Sequence, residues 1–308
     1  MTKATLHDGS AIELEVHGEG PVLLLPVNPR PIEGPQADSM RQWGADPALG
    51  RSLIEGLRDA FQVVAFDYEG HVLASPKPET LTPDNIARDL LAVADSVGAD
   101  RFAYYGYSWL ALSGLQLAIR TDRLSALVMG GFPPLGGPYA AMLRVTMATY
   151  EMSVSPQEPA KEPAKESAEE SAEKSQASAQ SDAETSWTSD EIDWSSVEMK
   201  MTEPQTKQFV TLYEALREFD DQAVQARIDC PRLCFAGSAD DIEYGERWGD
   251  VRVNIASTII SRRAEIEAFG WDVKVLDGLD HMSAMQAANV LPTMRPWLLS
   301  KVGAQLSE

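Results

Sequence analysis

Ser108 is the residue whose surroundings most clearly predict chemistry. It lies in the stretch Gly106 to Leu110 (GYSWL), between an apolar strand-like segment, Phe102 to Tyr105, and a helix-like segment that begins at Trp109. A strand-to-helix turn of this kind presents the serine hydroxyl at the carboxyl edge of a sheet, where the helix N-terminus favours negative charge. We therefore predict that Ser108 is a nucleophile. The alternative is that Ser108 only caps the helix.

A nucleophilic serine needs a base that accepts its proton. The chain has four histidines, of which His7 and His17 lie in a predicted N-terminal hairpin and His71 in a loop. His281 instead follows the last predicted strand, in the stretch GLDHMSA. Parallel strands place their carboxyl ends at one edge of a sheet, so His281 can meet Ser108 despite their distance in the sequence. We predict that His281 is the base; the alternative is that it only caps the final helix.

A carboxylate that orients the histidine should come from a third strand end. The stretch AGSADDIE follows the predicted strand PRLCF and contains three acids. Asp240 is the first candidate, Asp241 the second, and Glu243 lies slightly further on. The loop is rich in acids, so each of them could also be an ordinary solvated side chain.

The elements that must position these residues alternate along the chain. Strand-like segments are ATL, AIELEV, VLLLPV, FQVVAFD, FAYYG, LSALVMGGF, PRLCFAG and DVKVLDG, and helix-like segments include Pro47 to Asp59, Pro83 to Val97, WLALSGLQLAIR, VNIASTIISRRAEIEAFG and MQAANVLPTMRPWLLSKV. The first two strands flank the hairpin dipeptide Asp8-Gly9 and predict an antiparallel start. The later alternation predicts an α/β fold with a mainly parallel sheet covered by helices on both faces.

One region interrupts this alternation, between Phe132 and Arg227. It contains a helix-like stripe from Phe209 to Phe219 and a polar segment, Ser155 to Thr185, in which alanine is the only apolar residue. Such a segment cannot build a core. We interpret residues 155–185 as a solvated, disordered insert without chemistry; the alternative is a docking tail.

Charge and composition narrow the range of partners. The chain of 308 residues has 47 acidic and 26 basic residues, a net charge of −21, which disfavours nucleic acids and anionic membranes as partners. Two cysteines are too few for a disulfide framework, and the polar N-terminal segment has no hydrophobic signal region. We therefore expect a cytoplasmic protein that acts on a small molecule. The sequence does not indicate an oligomeric state.

The order Ser108, Asp240, His281 on this alternation resembles the α/β-hydrolase superfamily. The loop DYEGHVLAS, Asp67 to Ser75, is similar to the family's loop after the fourth strand, and residues 237–240 and GLDHMSA resemble its last two motifs. The resemblance implies an eight-stranded sheet and no cofactor or metal. It also implies a helical lid between strands six and seven, so that residues 1–132 and 228–308 form the core and 133–227 the lid.

Two positions depart from the family pattern. In the family, the turn that carries the serine, called the nucleophile elbow, usually ends in glycine; here Leu110 stands at that position. The family's loop after the third strand usually has a His-Gly pair, which supplies one N–H of the oxyanion hole, the group of donors that binds the carbonyl oxygen. Here that loop is Pro26 to Pro31 (PVNPRP). Proline has no N–H to donate. The candidates for the hole are therefore the Trp109 N–H together with the Val27 N–H or the backbone or side-chain amide of Asn28.

These residues predict a serine hydrolase that cleaves an ester, thioester or related acyl bond of a small, partly apolar substrate. Hydrolysis of a peptide or carbon–carbon bond remains open. The alternative function is a non-catalytic protein of the same fold that binds a small molecule or a protein partner. The unusual loop Pro26 to Pro31 and Leu110 motivate this alternative.

Overall fold

A computed structural model describes residues 2–42, 44–155 and 201–302 of the chain. Structural statements below concern these residues. The predicted insert at 155–185 lies outside them except for Ser155.

Eight strands form one mostly parallel sheet, as the sequence predicted. Ten strands occur in the described residues: β1 (Thr2–Thr5), β2 (Ala11–His17), β3 (Val22–Leu25), β4 (Gln62–Ala65), β5 (Phe102–Tyr107), β6 (Leu124–Gly130), β7 (Arg232–Gly237), β8 (Asp241–Glu243), β9 (Arg252–Asn254) and β10 (Trp271–Leu276). The main sheet has the order β1-β2-β4-β3-β5-β6-β7-β10. Strand β2 is antiparallel to β1 and β4, and the other neighbours are parallel.

Helices cover both faces of this sheet. The described helices are α1 (Pro35–Gln42), α2 (Leu49–Leu57), α3 (Tyr68–Ala74), α4 (Pro83–Ser96), α5 (Trp109–Ala118), α6 (Tyr139–Val154), α7 (Glu203–Glu214), α8 (Ala256–Ser261), α9 (Arg263–Ala268), α10 (His281–Ala284) and α11 (Ala287–Val302). Successive strand residues such as Leu23 and Leu24 belong to different core clusters, because side chains alternate between the faces of a strand. Helices α4 and α5 pack on one face, and α2 and α11 on the other.

Helix α4 illustrates how local sequence signals fix an element. The Thr82 side chain accepts the Asn85 N–H at 3.3 Å, and Pro83 occupies the first turn. Gly98 has a φ of +67°, a conformation that glycine adopts without strain, and follows the end of the helix. The helix therefore begins at the predicted residue, and its last residue, Ser96, is one before the predicted end.

The predicted helix VNIASTIISRRAEIEAFG is wrong in its first part. Strand β9 pairs antiparallel with β8, and only then do the short helices α8 and α9 follow. One oxygen of Asp241 accepts the N–H groups of Ile255 (2.8 Å) and Ser257 (3.1 Å) and so fixes the start of α8. A contact with a residue far back in the chain thus decided the local structure.

Helices α6 and α7 pack against each other and lie between β6 and β7 in the chain. The buried Gln208 of α7 accepts the Lys77 N–H at 3.0 Å and donates to the Val72 carbonyl at 3.0 Å, which ties α7 to the segment after β4. Within the described ranges, no helix is long and apolar enough to span a membrane.

Candidate active site

Ser108 lies at a strained turn between β5 and α5. Its φ of +56° and ψ of −129° are unusual for a residue with a side chain. The Ser108 N–H donates to the Gly130 carbonyl at 2.8 Å, which fixes the turn to the neighbouring strand β6. A Cβ atom at Gly106 would lie 2.3 Å from the Leu110 carbonyl oxygen, so this turn requires glycine there. These features are those of a nucleophile elbow.

Leu110 does not disturb this turn. Its side chain is buried in the core cluster on the α4–α5 face. The Tyr104 hydroxyl donates to the Leu110 carbonyl at 2.8 Å and holds the first turn of α5 against β5. The serine therefore keeps its positive φ although leucine replaces the usual glycine.

His281 and Asp240 meet at the same edge of the sheet. The Nδ1 atom of His281 lies 2.8 Å from Oδ1 of Asp240. Asp240 is fully buried, whereas 15% of the His281 side chain is exposed. A histidine held in this way keeps its Nε2 free for another partner.

The loops after β7 and β10 are joined by several backbone contacts. The two strands are parallel and end together, with Gly237 opposite Leu276. The Ala239 N–H donates to the Leu279 carbonyl at 3.0 Å, and a Cβ atom at Gly237 would lie 1.9 Å from that same oxygen. This close approach brings Asp240 to His281.

Asp241, the second candidate for the acid, points elsewhere. Its Oδ1 accepts backbone N–H groups at the start of α8, and its Oδ2 lies 3.4 Å from Arg252. Glu243 is exposed and pairs with the same arginine at 3.4 Å. Of the three acids, Asp240 contacts His281.

Tyr107 is a site residue that the sequence analysis did not assign. Its hydroxyl donates to the backbone carbonyl of His281 at 2.8 Å, and its ring centroid lies 5.0 Å from that of the His281 ring. Burial, with the charge of Asp240 as a second cause, raises the pKa of Tyr107, so its hydroxyl stays a donor. The only signal in the sequence was its position next to Ser108.

Tyr107 also links the two halves of the site. It precedes Ser108 in the chain and contacts His281 in space. In the described part of the chain, no hydrogen bond joins the Ser108 hydroxyl to His281, whose ring bonds to Asp240. Such bonds are often long without substrate and shorten in the reacting complex.

The other histidines lie outside this cluster. His7 contacts the fully buried Asp89 at 2.9 Å, and Asp89 also accepts the Tyr68 hydroxyl at 2.7 Å. The His71 ring lies 3.0 Å from the Ser10 hydroxyl. These contacts tie the N-terminal hairpin to α3 and α4. Among the described residues, no group of three or more His, Cys, Asp or Glu side chains could hold a metal ion.

Among the described residues, two of the candidate oxyanion donors have no hydrogen-bond partner for their backbone N–H. They are Trp109, at the start of α5, and Asn28, in the loop after β3. The Val27 N–H is already used, because it donates to the Leu25 carbonyl at 2.8 Å. The side-chain oxygen of Asn28 accepts the Arg30 N–H at 3.0 Å. This geometry favours Asn28 over Val27, and we propose the backbone N–H of Asn28 as the second donor.

Replacing Asn28 by alanine should therefore change kcat less than about 5-fold. Alanine keeps the backbone N–H, and only the contact with Arg30 is lost. Steady-state kinetics with a neutral ester would measure the effect. A loss of about 100–1,000-fold would instead mean that the Asn28 side chain donates to the oxyanion.

Comparison with known proteins supports this architecture. A segment of 75 residues, 24% of the chain, is 37% identical to the "Putative carbamate hydrolase RutD" of Klebsiella pneumoniae (strain 342). The match spans only 28% of that protein's length. No protein-family model matches the sequence.

Solved structures match over nearly the whole chain. A thermophilic esterase from Thermogutta terrifontis is 17% identical, with a TM-score of 0.54 and 97% of each chain covered. An enol-lactonase from Burkholderia xenovorans LB400 is 16% identical, with a TM-score of 0.53, 96% of this chain and 99% of that chain covered. At such identities the likeness concerns the fold. The order of strands in the main sheet and the sharp turn at Ser108 after β5 agree with these structures, and the chain has the α/β-hydrolase fold.

Proposed function

We propose that the protein is a serine hydrolase that cleaves an ester or related acyl bond of a small, partly apolar molecule. One observation carries the proposal: the buried Asp240 holds His281 at 2.8 Å, at the sheet edge where Ser108 occupies a strained turn. A capping serine and an ordinary loop histidine need neither the strain nor the buried carboxylate. This combination is typical of an activated nucleophile with an oriented base.

The chemistry follows from this geometry. The Ser108 hydroxyl attacks the carbonyl carbon while Nε2 of His281 accepts its proton, and Asp240 stabilises the resulting imidazolium. The carbonyl oxygen becomes an oxyanion that accepts the free N–H groups of Trp109 and Asn28. His281 then donates the proton to the leaving group. Water, activated by the same histidine, hydrolyses the acyl-enzyme and restores Ser108.

The names of similar proteins support acyl chemistry. They describe an esterase, an enol-lactonase and a carbamate hydrolase. Helices α6 and α7 would belong to the lid, residues 133–227, that covers the site. The contact of Phe209 on α7 with Trp109, 5.5 Å between ring centroids, supports both the lid and an apolar wall beside the nucleophile.

A fluorophosphonate probe tests the proposal. The probe should label the protein stoichiometrically, and the label should be lost in Ser108→Ala, because only an activated serine reacts with it. Ser113→Ala is the matched control. Ser113 lies in α5, the helix that follows Ser108, and its hydroxyl donates to the Trp109 carbonyl at 2.9 Å, so its replacement should leave labelling intact. Absence of label in the wild-type protein would favour the non-catalytic binding function.

A further inference from the structure

Glu69 is a carboxylate beside the candidate site that the proposed mechanism does not use. It lies in the first turn of α3, after β4, at the carboxyl edge of the sheet. Its Oε1 accepts the indole N–H of Trp109 at 3.1 Å. Trp109 directly follows Ser108, so this contact fixes a negative group close to the nucleophile.

No cation compensates Glu69 in the described part of the chain. Its hydrogen-bond partner there is the neutral indole of Trp109. Asp67, in the same turn, uses its own carboxylate to accept the Gly70 N–H at 2.8 Å. Glu69 is therefore free to interact with a ligand.

Glu69 can be reached from solvent. Its side chain is exposed to water. Burial among protein atoms nevertheless raises the pKa of the Glu69 carboxyl, the nearby charge of Asp67 raises it further, and the bond from Trp109 opposes the shift. An exposed carboxylate can be reached by water and by a small ligand.

Aromatic rings lie next to this carboxylate. The Trp109 ring packs edge-on against Phe209 of α7, with 5.5 Å between centroids, and lies 6.1 Å from the ring of Tyr68. An ammonium group is attracted by aromatic faces as well as by a carboxylate. Glu69 and these rings are neighbours, so an ammonium group bound to the carboxylate would have aromatic groups close by.

The net charge of the chain also favours a cationic ligand. At −21 it favours the approach of cations and opposes that of anions. Salt screens this long-range effect.

We infer that Glu69 is a specificity-determining residue that selects substrates with an ammonium group near the scissile acyl bond. The inference rests on the proposed hydrolase function for its reaction. The ammonium group would contact the Glu69 carboxylate from the solvent side, while the acyl carbon lies at Ser108. Substrates with a carboxylate at the same position would be rejected.

Pairs of isosteric esters test this selectivity. Choline butyrate and 3,3-dimethylbutyl butyrate differ only in the charge of the leaving group. The 4-nitrophenyl esters of 4-(trimethylammonio)butanoate and 5,5-dimethylhexanoate differ only in the charge of the acyl group. For one of the two pairs, we expect kcat/KM of the wild-type protein to favour the cationic ester about 10-fold. Glu69→Gln keeps an oxygen for Trp109 and should remove this preference.

The matched control is Glu19→Gln. This exposed residue lies in the turn before β3, at the opposite edge of the sheet, so its replacement removes the same charge far from Ser108. It should keep the preference of the wild-type protein. If neither pair shows a preference in the wild-type protein, or if Glu69→Gln keeps it, the inference is wrong.

Binding gives a measurement that does not depend on turnover. Calorimetry with butyltrimethylammonium should show about 10-fold weaker binding to Glu69→Gln than to the wild-type and Glu19→Gln proteins. Equal affinity in all three would overturn the role of Glu69. If the protein is neither labelled by a fluorophosphonate nor active on any ester, the hydrolase proposal fails, and the binding comparison still decides the role of Glu69.

Discussion

Replacing Ser108 by alanine is expected to lower kcat about 10⁶-fold for any ester that the wild-type protein hydrolyses. The acyl-enzyme cannot form without the hydroxyl, and His281 has no proton to accept. The Trp109 and Asn28 N–H groups remain, so the variant should still exceed the uncatalysed rate by about 10³–10⁴-fold. A titration of active sites alongside the steady-state rate would exclude contaminating wild-type enzyme.

The fold should tolerate this substitution. Ser108 holds its turn through the backbone bond to Gly130, and its side chain makes no capping bond. Alanine must still adopt a φ of +56°, which costs about as much as for serine. The melting temperature should therefore change little. Retention of more than a tenth of the wild-type turnover would show that another residue is the nucleophile.

Asp240→Asn is expected to lower kcat about 10⁴-fold. Asparagine fills the same buried space but can place its NH₂ group towards His281, which then presents the wrong tautomer to Ser108. The lost negative charge also no longer stabilises the imidazolium. The 2.8 Å contact and the complete burial of Asp240 make this the carboxylate on which the histidine depends.

Asp241→Asn is the matched control, because it changes the same charge one residue further on. Asparagine keeps an oxygen for the two N–H groups at the start of α8 and loses only the charge that faces Arg252 at 3.4 Å. The substitution should therefore cost less than about 1 kcal/mol of stability and change kcat less than about 3-fold. Kinetics and thermal unfolding of both variants separate the two roles. A larger loss of kcat in Asp241→Asn would contradict the assignment of Asp240.

The sequence by itself determined the eight strands of the main sheet, most of the helices that cover it and their order along the chain. Apolar periodicity, the Thr82 cap and Gly98 fixed α4 because these signals act within one or two turns of chain. Alternating strands and helices fixed a mostly parallel sheet, and parallel strands bring their carboxyl ends to one edge. The sequence could therefore place Ser108 and His281 at that edge without any structure.

Contacts between segments that are distant in the sequence determined where the side chains of the site point and where α8 begins. Asp240 and Asp241 are neighbours of the same type, and only the turn after β7, held by Leu279, directs the first towards His281. The start of α8 depends likewise on Asp241, which explains why the predicted helix was too long.

The sequence likewise could not predict which donors and charges surround Ser108. The choice between Val27 and Asn28 depends on which N–H the loop has already used, and the roles of Tyr107 and Glu69 depend on partners far away in the chain. Local patterns determine which element a residue joins, because they act through the backbone. Only tertiary packing determines what its side chain meets, because that depends on where the whole sheet places the other segments.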